Sequence, residues 1–124
     1  MAKKRHPFRK KGGVLVIPID LILSENYRTL YRYSQQLLLL LQVHWREDRP
    51  VAFGVREVER LLNCDRRTAM KAFDELQKRG FIVKIDESLF NSRTESRSRT
   101  WRLTWLPYDW KSPTEEWEKW TNEN

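Results

Sequence analysis

The 124 residues carry 24 Lys and Arg against 17 Asp and Glu, a net charge of +7, enough chain for one well-packed domain and too little for a separate ligand-sensing one. A single cysteine, Cys64, excludes an internal disulfide and suits a reducing cytoplasm. His6 and His44 stand at no metal-ligand spacing from it, so neither metal nor cofactor is expected. The sequence has no glycine-rich phosphate loop, nucleophile elbow or helical pair of metal-binding histidines, which argues against an enzyme and leaves an anionic polymer as the natural partner of the positive charge.

Residues 1–13 lack an apolar period, end in Gly12-Gly13 and carry only basic charges, on Lys3, Lys4, Arg5, Arg9, Lys10 and Lys11. They read as a flexible cationic arm, either an auxiliary contact to a nucleic acid, Lys10 and Lys11 included, or a solubilising tail. The apolar run 14–17 mimics a signal peptide. However, Pro18 and Asp20 interrupt it and no small-residue cleavage site follows. It predicts a short strand or extended packing segment, with a brief helical turn over 19–23. Ser24 is a cap for a short helix containing Tyr27 and Leu30, and Leu37, Leu38, Leu41 and Trp45 predict a longer, central helix over about 31–46. The leucine run 37–41 is far shorter than the roughly 20 residues needed to cross a bilayer. It nevertheless exceeds one core face, so part of it is expected to meet the Trp-rich C-terminal segment or a second subunit. No membrane association is expected; the chain reads as cytoplasmic and associated with the nucleoid.

After a polar turn over 47–50 and a short strand over 51–53, residues 54–80 organise the whole chain. Val55, Val58, Leu61 and Leu62 recur at helical spacing, Asn63 and Cys64 break the pattern, and Asp65 stands as the N-cap of a second helix. In that helix Ala69, Ala72, Phe73 and Leu76 form an apolar stripe, and Gly80 supplies the left-handed stop. Cys64 in the turn is expected to be a small buried apolar residue. Two helices joined this way are the layout of a helix-turn-helix, and the leading turns of the second carry Arg66, Arg67, Thr68 and Lys71, with acidic Asp74 and Glu75 only later. That polarity suits insertion of the N-terminal end into a major groove. A solvated amphipathic helix is the competing reading.

Beyond Gly80, Phe81, Val83 and Ile85 alternate with Ile82 and Lys84, and Trp101, Leu103 and Trp105 alternate with Arg102 and Thr104, the period of paired strands. The hairpin tip between them, 86–100, carries Arg93, Arg97 and Arg99. A strand, two helices and a hairpin with a basic tip follow in the order of a winged helix: an α+β winged helix-turn-helix with a three-helix core and a β-hairpin wing, over 14–106. Ser112-Pro113-Thr114-Glu115 then predicts one more short helix, 113–121, inside a Trp-rich tail of 107–124, with Trp117 and Trp120 on one face. These aromatics pack on the parent domain or form a homodimer contact.

Through the segments V-R-E-V-E-R-L-L-N-C, D-R-R-T-A-M-K-A-F-D-E-L, R-G-F-I and W-R-L-T-W-L-P, the chain resembles the small winged helix-turn-helix proteins of bacteria, phages and other mobile elements. In pattern it is similar to the winged helices of MarR- and GntR-type regulators and of plasmid replication initiators. The resemblance implies sequence-specific binding of double-stranded DNA, as in a transcriptional regulator of a phage or mobile element, with residues 66–79 in the major groove and the wing 86–100 on backbone or minor groove. The chain departs from GntR-type regulators in lacking an effector domain after the wing. Arg66, Arg67 and Lys71 are the expected groove contacts, the arginines able to make bidentate bonds to guanine, and Thr68 a phosphate ligand; Arg93, Arg97 and Arg99 either belong to the wing contact or to a solvated loop. Arg56 either reaches a flanking phosphate or pairs with Glu59. Two other functions stay open: a protein–protein or replication-initiation module, and nucleic-acid binding without sequence preference.

Overall fold

The computed structural model describes residues 12–85 and 99–121. The arm, with Lys10 and Lys11, and most of the hairpin tip, with Arg93 and Arg97, lie outside the described residues. Within them the chain is α+β, with five α-helices and a small three-stranded antiparallel sheet. The helices are α1 (Ile19–Leu23), α2 (Glu25–Arg28), α3 (Arg32–Val43), α4 (Val55–Leu62) and α5 (Arg66–Lys78); the strands are β1 (Val51–Ala52), β2 (Ile82–Lys84) and β3 (Thr100–Leu103).

Helix boundaries follow local hydrogen bonding. Ser24 divides α1 from α2 with one hydroxyl, which donates to the Leu21 carbonyl at 2.7 Å and accepts from the Tyr27 N–H at 3.1 Å. At the start of α4 the Glu57 carboxylate reaches back to the Gly54 N–H at 2.7 Å, and at its end Asn63 turns left-handed with φ 54°. The start of α3 has no cap of its own. Instead Glu75 of α5 accepts from the Tyr31 N–H at 3.0 Å and the Ser34 hydroxyl at 2.6 Å, so the two helices are tied by polar bonds as well as by packing. The anticipated helix over 31–46 stops at Val43, where the His44 N–H closes back on the Leu41 carbonyl at 3.1 Å, and the Trp45 ring N–H donates to the Pro107 carbonyl at 3.0 Å. Likewise α2 ends before Leu30.

The core joins Leu37, Leu38 and Leu41 of α3, Val58 of α4, Ala69, Ala72, Phe73 and Leu76 of α5, and Ile82, Trp101 and Leu103 of the sheet, and continues to Phe81 and Trp117. Strand order is β1-β3-β2, and the register sets Val51 opposite Trp101 and Ile82 opposite Leu103. Trp101 stacks on Phe73 with ring centroids 5.2 Å apart, fixing the sheet against α5. Leu39 and Leu40, the surplus of the leucine run, lie half-buried against the same core.

Of the two expected forms of residues 14–17, the structure shows the extended packing segment: they run across α3, held where the Gln42 amide donates to the Val16 carbonyl at 2.9 Å. The paired strands expected around the tip are present as β2 and β3, and the neighbouring Phe81 and Ile82 are both fully buried. The sheet has a second cover: Trp117 stacks on Phe81 at 5.8 Å and Glu116 pairs with Arg102 at 2.6 Å, so Trp117 packs on the parent domain, one of the two placements expected for the tail. Finally, the helix over 113–121 is reduced to one 3-10 turn, Glu116–Lys119. Glu115 adopts φ 56°, its N–H donates to Thr104 at 2.8 Å, and its carboxylate accepts from the Trp117 ring N–H at 2.7 Å. Burying Trp117 outweighs the capping box. Trp120 consequently does not share the buried face of Trp117, and lies against Arg79 instead. Among the described residues no helix is long and apolar enough to cross a membrane.

Candidate nucleic-acid interface

The geometry of α5 derives from its two faces. Ala69, Ala72, Phe73 and Leu76 are completely buried, so packing fixes the helix in rotation as well as position. Rotation then decides what faces outward: Arg66, Arg67 and Lys71 are all exposed, and with Met70 and Asp74 they line a shallow, open concavity along the outer side. Asp65 starts the helix by accepting the Thr68 N–H at 2.8 Å, a bond that holds its carboxyl below the ordinary aspartate value, with the nearby Arg67 charge adding to the effect. Thr68 itself is half-buried in the first turn.

Lys71 is less free than its exposure implies. Its Nζ lies 4.3 Å from the ring centroid of Tyr31, at the start of α3. Just past the other end of α5, Arg79 pairs with Glu75 at 3.3 Å, donates to the Asn26 carbonyl at 2.8 Å and the Thr29 hydroxyl at 2.7 Å, and lies 4.1 Å from the Trp120 ring. The exposed cations of α5 are thus Arg66, Arg67 and Lys71 in its leading turns and Lys78 in its last.

The remaining expected residues fall in different places. Arg99 stands at the base of the hairpin next to α5, its guanidinium 5.8 Å from the Phe73 ring while its carbonyl accepts from the Phe53 N–H at 3.0 Å. Arg56 is exposed on α4, and with Glu57, Glu59, Arg60 and Cys64 it borders a second concavity that shares no residue with the first. Among the described residues no ion pair joins Arg56 to Glu59, so that alternative is set aside. Cys64, expected as a small buried apolar residue, is half-buried and packs against the core. Partial burial, reinforced by Asp65 and Glu59, pushes its thiol above the usual cysteine value, which leaves it a weak nucleophile.

Sequence reasoning missed Tyr31 and Glu75. Tyr31 belongs to no motif and Glu75 figures there only as a late acidic residue of its helix; the crossing of α3 with α5 brings Tyr31 beside the basic turns. Comparison of the chain with protein-family models, curated proteins and solved structures finds no match in any of the three.

Proposed function

We propose that this chain is a winged helix-turn-helix protein that binds double-stranded DNA sequence-specifically, as a regulator of a phage or mobile element, with α5 in the major groove and the β2–β3 hairpin against the backbone or minor groove. The observation that carries the reading is the outward display of Arg66, Arg67 and Lys71 on a helix whose opposite face is wholly core. A groove about 12 Å wide admits such a helix by its leading turns, and arginine there makes bidentate bonds to guanine. Arg99, its guanidinium 5.8 Å from the Phe73 ring of α5, adds a cation at the base of the hairpin. Thr68 is a phosphate ligand and Arg56 a flanking one, the latter from the neighbouring helix. Lys10, Lys11, Arg93 and Arg97 add charge from the arm and hairpin tip.

The test separates base reading from phosphate attraction. Arg67→Ala should lower discrimination between a selected site and random duplex, by about 1–3 kcal/mol for a lost bidentate contact. Removing residues 1–11 should instead weaken every sequence alike and reduce the salt dependence. Competition binding reads both, and an Arg67→Ala protein that discriminates as well as its parent would overturn the groove assignment.

A second reading, a protein–protein or replication-initiation module, is favoured by one observation: Val16, Ile19 and Leu23 are exposed at 73%, 73% and 64%, clustered in sequence at the start of the fold. Duplex binding no stronger than binding to heparin at moderate salt would favour it.

A further inference from the structure

Lys71 is the exposed cation of α5 whose side chain is held in place by another helix, and the holder is built into the fold. Tyr31 precedes α3, and its backbone N–H is anchored by Glu75, one turn along α5 from Lys71. The Ser34 hydroxyl binds the same Glu75 oxygen, and the Tyr33 ring lies 5.4 Å from that of Tyr31. Helix α5 thus locates, through Glu75, the ring over which its own Lys71 ammonium rests at 4.3 Å. A ring face attracts the ammonium through its quadrupole without neutralising it, so the charge stays available to a phosphate. Without that contact, a four-carbon stem would lose rotamer freedom on meeting DNA.

We infer that Tyr31 is a positioning residue for DNA binding: its ring preorganises Lys71 toward the backbone of the duplex. The inference rests on the DNA-binding reading above and adds a residue outside the helix pair to the interface. The ring acts and the hydroxyl does not, so Tyr31→Phe should bind as the parent does. Tyr31→Leu should weaken binding about two- to five-fold, the strength of an exposed cation–π contact expressed as an affinity ratio.

The experiment measures binding of a mixed-sequence duplex of about two helical turns across a salt series, for the parent, Tyr31→Phe, Tyr31→Leu, Lys71→Ala and the Tyr31→Leu/Lys71→Ala double variant. In the Lys71→Ala background Tyr31→Leu should have no further effect, which a merely structural role would not produce. Proton NMR of the free protein supplies a readout independent of DNA: the Lys71 ε-methylene should be shifted upfield by the ring in the parent and in Tyr31→Phe. Equal binding by the parent and Tyr31→Leu, tighter binding by Tyr31→Leu, loss of binding in Tyr31→Phe, or an unshifted ε-methylene in the parent would each overturn the inference. If Lys71→Ala weakens binding while Tyr31→Leu does not, the DNA-binding reading survives without it. If the parent binds no duplex, both fall.

Discussion

Asp65 carries two duties in one carboxylate. It closes the first turn of α5 by accepting the Thr68 N–H, and it places a negative charge at the positive end of the helix immediately before Arg66 and Arg67. Because the bond holds its folded-state pKa below the unfolded value, the stability it contributes is fully present above the ordinary aspartate pKa and is lost as pH falls through the lowered one. Asp48, held down by Arg49, and Glu116 behave alike, so the useful quantity is a difference. For Glu116 burial acts upward and is outweighed by bonds from Thr114 and Arg102. Asp65→Asn keeps an acceptor at the cap, and its unfolding midpoint should fall less steeply than the parent's below about pH 4. Asp65→Ala should be destabilised throughout the pH range. Identical acid profiles for the parent and the Asn variant would refute this role.

At the scale of elements, the C-terminal segment is a structural part of the fold. Trp117 is 5% exposed, stacked on Phe81, and its carbonyl accepts from the Asn26 side chain at 2.6 Å, joining the end of the chain to α2. Trp117→Ala should cost about 3–5 kcal/mol in urea unfolding, the range for an emptied aromatic site in a core. A loss below about 1 kcal/mol would mean that the segment lies loosely on the sheet. The elements readable from sequence were those whose signal is local: Asp65 and Gly80 bracketing α5, Ser24 before α2, and the apolar stripe through Ala69, Ala72, Phe73 and Leu76. Those misread were decided by distant partners. No local pattern announces that Trp117 will cover Phe81, and so neither the burial of both Phe81 and Ile82 nor the shortening of the last helix was legible. The outward cations Arg66, Arg67 and Lys71 were readable because they are what the stripe leaves over. Tyr31 was not, because it reaches Lys71 only through the packing of α3 on α5.

Over the whole molecule, one core serves both sides of a thin sheet, with α5 on one face and the C-terminal segment on the other, so the display of the basic turns depends on residues at both ends of the described chain. The C-terminal segment comes close to the backbone at Gly80. Its φ is +83°, and a methyl group built there would stand 2.9 Å from the Glu116 carbonyl oxygen and 3.0 Å from its carbon, both backbone atoms with little room to retreat. Gly12 and Gly13 also have positive φ but open space around them. In a saturation library sorted for folded protein, position 80 should therefore admit no replacement, alanine included, while positions 12 and 13 retain variants; survival of alanine at 80 would contradict this ordering. The site of tightest mutational intolerance would then carry no charge and touch no nucleic acid.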